Sequence, residues 1–292
     1  KRDDYITGML ASVFQFVPVC PELEMGLGVP RPPLRLAGDA GAPRLVFVES
    51  GADQAERFER WARPRLDALA DTGLSGYILK SKSPSCGLER LPVYGDDGIV
   101  RRSGVGLFAR ALLERLPNLP AVEESRLRDA TIRDNFVERV FCYRRWQEML
   151  GGGFSRARLV AFHAAHKLVL MAHGPALPAE LGRLVANPRA LPPGVLRERY
   201  AASFMRALGM RATRAKHTNV LHHILGYFKR HLDARDKAEL VALIDDYRLG
   251  RAPLVAPLTL LRHHARRLEI PYLAEQVYLH PHPKEAMLRS HA

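Results

Sequence analysis

A chain of 292 residues, 47% of them hydrophobic, is long enough to bury one or two cores, and two domains are the expected organisation. No apolar stretch approaches the length of a membrane span and no secretory leader is visible, so no membrane partner is expected. Three cysteines are too few for a disulfide framework and fit a reducing cytoplasm, where thiolates are available to metal.

The charge is uneven. Residues 1–120 hold 16 Lys+Arg against 15 Asp+Glu, whereas residues 121–292 hold 28 against 16 and all 12 histidines. Nearly all of the net +13 therefore lies in the C-terminal part, which argues for two units with different surfaces. A polyanion such as RNA would suit that excess, and so would a solvated arginine-rich helical surface with no partner.

In chain order, Tyr5 to Phe14 has mixed helical spacing, and Val17-Pro18-Val19 reads as a short apolar strand leading into Cys20. Arg44 to Val48 reads as a second strand. Ala52 to Asp71 has helical periodicity, with Phe58, Trp61, Leu66 and Leu69 on its apolar side; Pro64 is expected to kink the helix or mark its restart. Gly76 to Leu79 is a compact buried strand that runs into the loop carrying Cys86. This alternation predicts an α/β N-terminal domain with a small, mostly parallel sheet, whose ligands bind at the carboxyl ends of strands. Gly104 and Gly106 precede a helix that runs through Leu116; they serve either to cradle an anion or to let two backbones pack closely.

Pro117-Asn118-Leu119-Pro120 breaks that helix, so the boundary is placed there: a domain over 1–118 and a second over 119–292. From Ala121 onward every long segment has a helical period, and no strand is evident. Asp134 to Leu150, Ser155 to His173, Leu196 to Leu208, Arg214 to Leu232, Ala234 to Tyr247 and Leu258 to Leu268 are the helices expected of an all-α domain. There is no internal repeat and no low-complexity tract.

Two cysteines sit in unusually ordered loops. Cys20 lies in Phe16-Val17-Pro18-Val19-Cys20-Pro21-Glu22, and Cys86 in Leu79-Lys80-Ser81-Lys82-Ser83-Pro84-Ser85-Cys86-Gly87. Each comes after a short apolar run and has a proline close by to stiffen its backbone. Their separation of 66 positions rules out a local Cys-x-x-Cys knuckle. On spacing alone, metal ligation and structural burial stay equally open. Cys142, in Val140-Phe141-Cys142-Tyr143, reads as a packing residue of a helix.

The two cysteine loops resemble the thiouracil desulfidase family over roughly Lys1 to Leu116. The segments Arg214 to Leu221 and Pro257 to His264 resemble the YbgA-like domain, often fused behind it, from Leu119 to the end. The first resemblance implies a [4Fe-4S] cluster held by three cysteines, with one iron open to the substrate's sulfur. It implies a non-redox desulfuration of 2-thiouracil or a related thiopyrimidine with release of sulfide. Cys20 and Cys86 would be two of the ligands. The chain opens at Lys1-Arg2-Asp3-Asp4, which resembles the stretch directly after the family's Ser-x-Cys-Leu-Leu-Gly segment, so the third ligand is expected upstream of Lys1.

The remaining chemistry is assigned around those loops. Glu22 is the candidate acid/base, or else an acceptor for loop N–H groups. Ser85 is the candidate to orient water or contact the pyrimidine, with Ser83 and Ser103 as substrate contacts; a turn-stabilising hydroxyl is the alternative. Lys80, Lys82 and Arg31 could offset the charge of a thiolate-ligated cluster. The histidines include His163 and His166 on one helix and the doublets His222-His223 and His263-His264. Adjacent residues diverge on a helix, so these are read as packing and surface residues. Two rival readings stand beside the desulfidase: an RNA-binding module with structural cysteines, and an interaction protein whose helical domain forms a homodimer.

Overall fold

Short apolar runs set the strands of the N-terminal part in the computed structural model, which describes residues 4–174 and 176–290. The chain divides into two units, Lys1–Phe136 and Val137–Ala292. Strands β1 (Leu34–Ala37) and β2 (Arg44–Phe47) pair antiparallel, Leu34 opposite Phe47, and both bury apolar residues: Leu36, Leu45 and Val46 are at most 4% exposed. Strand β4 (Leu91–Tyr94) joins β1 in parallel, and β5 (Val100–Gly104) returns antiparallel to β4, giving the order β2-β1-β4-β5. A separate parallel pair joins β3 (Tyr77–Leu79) to β6 (Ala121–Glu123).

Among the described residues, three α-helices lie wholly in this unit: α1 (Pro21–Glu24), α2 (Ala55–Asp71) and α3 (Leu107–Arg115). Along α2 the buried residues Phe58, Ala62, Leu66 and Leu69 recur at helical spacing and form its inner face. Phe108 of α3 is fully buried, with ring centroids 5.5 Å from Trp61 and 5.8 Å from Tyr77. Burying a side chain of that size contributes roughly 2–3 kcal/mol of transfer free energy.

The α/β class is the one the alternation predicts. Several details differ. Val17-Pro18-Val19 is irregular rather than a strand; Pro18 has no N–H to donate, and Val17 is 42% exposed, so nothing drives pairing there. Pro64 does not divide its helix, since α2 runs through it as one element. Pro64 itself is exposed, so water can reach the backbone carbonyl that its missing N–H leaves free. Strands β1, β4, β5 and β6 were not expected from the sequence. The pattern of β5, with Val100, Arg101, Arg102 and Ser103 all exposed, carries no alternation to detect.

The second unit is helical throughout its described residues. Helix α4 (Ala130–Gly151) contains the division point, and α5 (Arg156–His173), α6 (Ala176–Ala186), α7 (Pro193–Gly209), α8 (Arg214–Tyr227), α9 (Ala234–Arg248), α10 (Val255–Arg267), α11 (Pro271–Ala274) and α12 (Pro283–Ser290) come after it. Hydroxyl or carboxylate caps start three of them: Ser155 accepts from the amide of Arg158 at 3.2 Å, Thr213 from Lys216 at 3.3 Å and Asp233 from Asp236 at 2.8 Å. The core packs Trp146, Phe162, Tyr200 and Phe204 with Leu221, Ile224, Phe228 and Leu240. Cys142 is fully buried among them. Among the described residues, no helix is long and apolar enough to cross a membrane.

Candidate active site

Cys20 immediately precedes α1, in extended conformation, with Pro21 as the first helical residue. The short helix turns the chain so that Glu22, 6% exposed, folds back beside the sulfur: Cys20 Sγ donates to Glu22 Oε2 at 3.6 Å. Helix α2 holds this loop from outside. Glu24 accepts from Trp61 Nε1 at 3.1 Å and pairs with Arg65 at 2.9 Å, while Arg57 donates to the carbonyls of Met25 at 2.8 Å and Gly26 at 3.1 Å.

The Cys86 loop is fixed more tightly still. It leaves β3 at Leu79 and is gripped at both ends by adjacent carboxylates from β6 and the turn after it. Glu124 accepts from the Ser81 amide and hydroxyl, the latter at 2.9 Å, and pairs with Lys80; Glu123 accepts from the Leu88 amide at 2.7 Å. Between these ends, the amide of Gly87 donates to the Ser83 carbonyl at 2.8 Å, and the amides of Phe108 and Ala109 donate to the Ser85 carbonyl at 2.9 and 3.1 Å. Gly106 lies against this turn so closely that a Cβ there would stand 2.4 Å from the Ser85 carbonyl group. Its role is therefore close backbone approach.

The two loops meet at Glu22. Ser83 Oγ donates to Glu22 Oε1 at 3.4 Å and accepts the Cys86 amide at 3.2 Å. Arg31 stands 3.7 Å from Glu22 Oε2. Cys86 is 8% exposed; burial first, then the negative charge of Glu22, pushes its thiol up to about 12, and Cys20 and Glu124 add to the rise while the Ser83 hydrogen bond opposes it. Ser85 is wholly buried, and its Oγ has no hydrogen-bond partner among the described residues.

Of the residues singled out in the sequence, Cys20, Glu22, Ser83, Cys86 and Arg31 thus share one neighbourhood, with Ser85 next to Cys86. Ser103 is exposed on β5, beside the register slip between Leu91 and Pro92, and takes no part in the contacts around Glu22. Lys80 is engaged by Glu124 instead. Glu123 and Glu124 escaped the sequence reading; adjacent carboxylates at a strand end would have signalled them, had β6 been recognised. Among the described residues, no three His, Cys, Asp or Glu side chains stand close enough to hold a metal ion by themselves. Several histidines serve packing: His163 Nδ1 meets the Tyr200 hydroxyl at 3.0 Å, and His217 Nδ1 meets that of Tyr278 at 2.8 Å.

Residues 1–124 match the family model described as 2-thiouracil desulfurase, and residues 167–283 match a second, described as a protein of unknown function, DUF1722. The uncharacterized protein YbgA of Escherichia coli (strain K12) is 32% identical over 157 residues, which cover 53% of this chain and 93% of that protein. The chain belongs to the YbgA family, and the stretch before that part matches the 2-thiouracil desulfurase model. The uncharacterized protein YbbK of Bacillus subtilis (strain 168) is 36% identical over 76 residues, 24% of this chain, and only 50% of that relative's length is spanned. No solved structure matches. The Cys20 and Cys86 loops, and the Glu123–Glu124 grip, all fall within the desulfurase match, whereas helices α7 to α11 fall within the DUF1722 match.

Proposed function

We propose that the desulfurase domain converts 2-thiouracil or a related thiopyrimidine to its oxo form and releases sulfide, with no net oxidation or reduction. Water supplies the oxygen that forms the new bond to the thiocarbonyl carbon, the C–S bond breaks, and both water protons leave with the sulfur as hydrogen sulfide. The observation that carries this reading is the position of Glu22. One buried carboxylate lies 3.6 Å from Cys20 Sγ and 3.4 Å from the Ser83 hydroxyl that accepts the Cys86 amide, and its charge acts on the Cys86 thiol.

The cofactor this reading needs is an iron–sulfur cluster. The donors fit it in kind: soft thiols on two stiffened loops, with Arg31 nearby to offset thiolate charge. Cys20 and Cys86 would be two of its three cysteine ligands. When bound, such a cluster supplies a sulfur-seeking iron that makes the thiocarbonyl sulfur a better leaving group. The chain's own residues do the rest. Glu22 takes a proton from the attacking water and returns it to the departing sulfur. Ser83 and Arg31 hold that carboxylate in place. Ser85 has an uncommitted hydroxyl for water or for the pyrimidine. A reducing cytoplasm suits thiol ligands of this kind.

Anaerobic reconstitution of the full-length protein with iron and sulfide, followed by sulfide release from 2-thiouracil, tests the proposal. The expected result is a brown protein that carries iron and acid-labile sulfide and turns over thiouracil, with Cys20→Ser and Cys86→Ser each lowering the iron content. A colourless protein that takes up no iron and releases no sulfide overturns it.

A further inference from the structure

The excess positive charge of the C-terminal unit is segregated by the fold. Helix α8 packs against both α5 and α10, and none of these three helices contains an aspartate or glutamate. Acidic residues lie instead on α9, where Asp236 takes Arg267 at 2.6 Å and Asp245 and Asp246 take Arg248 and Arg251. Among the described residues, Lys167 of α5 and Arg262 and Arg266 of α10 meet no carboxylate; Arg262 donates only to the Thr259 hydroxyl, at 3.2 Å.

Helix α8 and the neighbouring α11 also present aromatic rings. His223 and Tyr227, both exposed on α8, lie 5.5 Å apart, and Tyr227 stacks on Tyr272 of α11 at 5.0 Å and 20°. The segment after α11 is docked onto α5, Gln276 Nε2 donating to the Ala164 carbonyl at 2.8 Å and the Val277 amide to Ala165 at 3.0 Å. It thereby carries His280 into the field of Arg262 and Arg266. Burial and then these cations hold His280 below its usual range, as burial and then Lys167 hold down His223. Glu269 and Glu275, exposed on either side of α11, are the acidic residues nearest in sequence to this strip.

We propose that the α5–α8–α10–α11 face binds single-stranded RNA, with Lys167, Arg262 and Arg266 along the phosphates and the Tyr227–Tyr272 pair as a platform for a base. Uncompensated like charges repel one another within a fold, and a polyanion removes that cost. A stacked ring pair on α8 and α11, its Tyr227 member exposed, adds what a membrane surface or an acidic protein would not use: stacking on unpaired bases. This surface is independent of the desulfurase chemistry, and its test does not involve thiouracil.

Fluorescence anisotropy of labelled oligouridylate with the full-length protein decides the matter. Saturable binding at low salt is expected to weaken with added salt. The triple variant K167Q/R262Q/R266Q should bind about 10-fold or more weakly and flatten the log–log salt slope by about 2, at about 0.7 for each phosphate no longer neutralised. Tyr227→Ala should weaken binding roughly 5- to 100-fold and leave the slope unchanged. The pair Arg235→Gln and Lys237→Gln on α9, where acidic residues are interspersed, should change little. No saturable binding at low salt, a triple variant as tight as the unaltered protein, or equal binding to anionic phospholipid vesicles overturns the proposal.

Discussion

The Ser83 hydroxyl is shared between Glu22, to which it donates at 3.4 Å, and the backbone of Cys86, whose amide it accepts at 3.2 Å. One small side chain thus links the two cysteine loops. If Glu22 moves the proton in desulfuration, Glu22→Gln should lower the rate of sulfide release by about 10²- to 10⁴-fold, the usual worth of a general acid/base. Iron content should stay near that of the unaltered protein. Ser83→Ala should cost about 10-fold, in line with the loss of a hydrogen bond to a charged group. Sulfide assays alongside iron analysis separate the two effects, and a fully active Glu22→Gln would remove Glu22 from the mechanism.

Gly106 is the most constrained glycine near the site, because a methyl group there would meet the Ser85 carbonyl at 2.4 Å. Gly106→Ala is expected to destabilise the N-terminal unit by about 1–3 kcal/mol through overpacking. Gly182, within α6 and with nothing inside 4 Å of a built Cβ, is the contrast. Gly182→Ala should be neutral or stabilise the helical unit by about 0.5–1 kcal/mol. Chemical denaturation of both variants checks the pair.

Glu123 and Glu124 hold opposite ends of the Cys86 loop, which should make that thiol slow to react. In metal-free protein, half-buried Cys20 is expected to be alkylated well before Cys86, whose thiol stays protonated at neutral pH because burial and Glu22 raise it to about 12. Glu124→Ala should release the loop and speed Cys86 labelling, with little effect on Cys20. Mass spectrometry of a timed alkylation reads both sites, and equal rates in all samples would show that the grip does not control the loop.

The helical unit should lose stability in mild acid. Burial holds His217 down to about 4 and His166 down to about 3, against an ordinary value of 6.5. Their unfolded forms therefore bind protons that the native forms refuse, and stability falls as pH drops from 6.5 toward those values. When fully expressed these correspond to roughly 3 kcal/mol for His217 and roughly 5 kcal/mol for His166. Glu138 acts in the same direction at lower pH. Burial alone would raise its carboxyl, but Arg289 at 2.9 Å and His173 at 2.8 Å hold it below the usual range, so its stabilising effect is lost as acid protonates it. Urea unfolding at pH 7, 5.5 and 4.5 should give steadily lower midpoints for this unit, and a flat profile would contradict the burial of these side chains.

Much of this was readable in the chain itself. A helix repeats every 3.6 residues, so segments such as Ala234 to Tyr247 disclose their helices locally, and prolines beside Cys20 and near Cys86 disclose two stiff loops. The charge excess after residue 120 needed only counting. Tertiary structure decided what depends on distant partners. Strand β5 exists because β4 pairs with it, Glu123 and Glu124 matter because β6 lies beside β3, and Glu22 reaches Ser83 across 61 positions. The grouping of acid-free helices in the helical unit arises in the same way. Helices α5, α8 and α10 are separated in sequence, and only their packing brings their scattered cations near one another, because charge adds over distance in space and not along the chain.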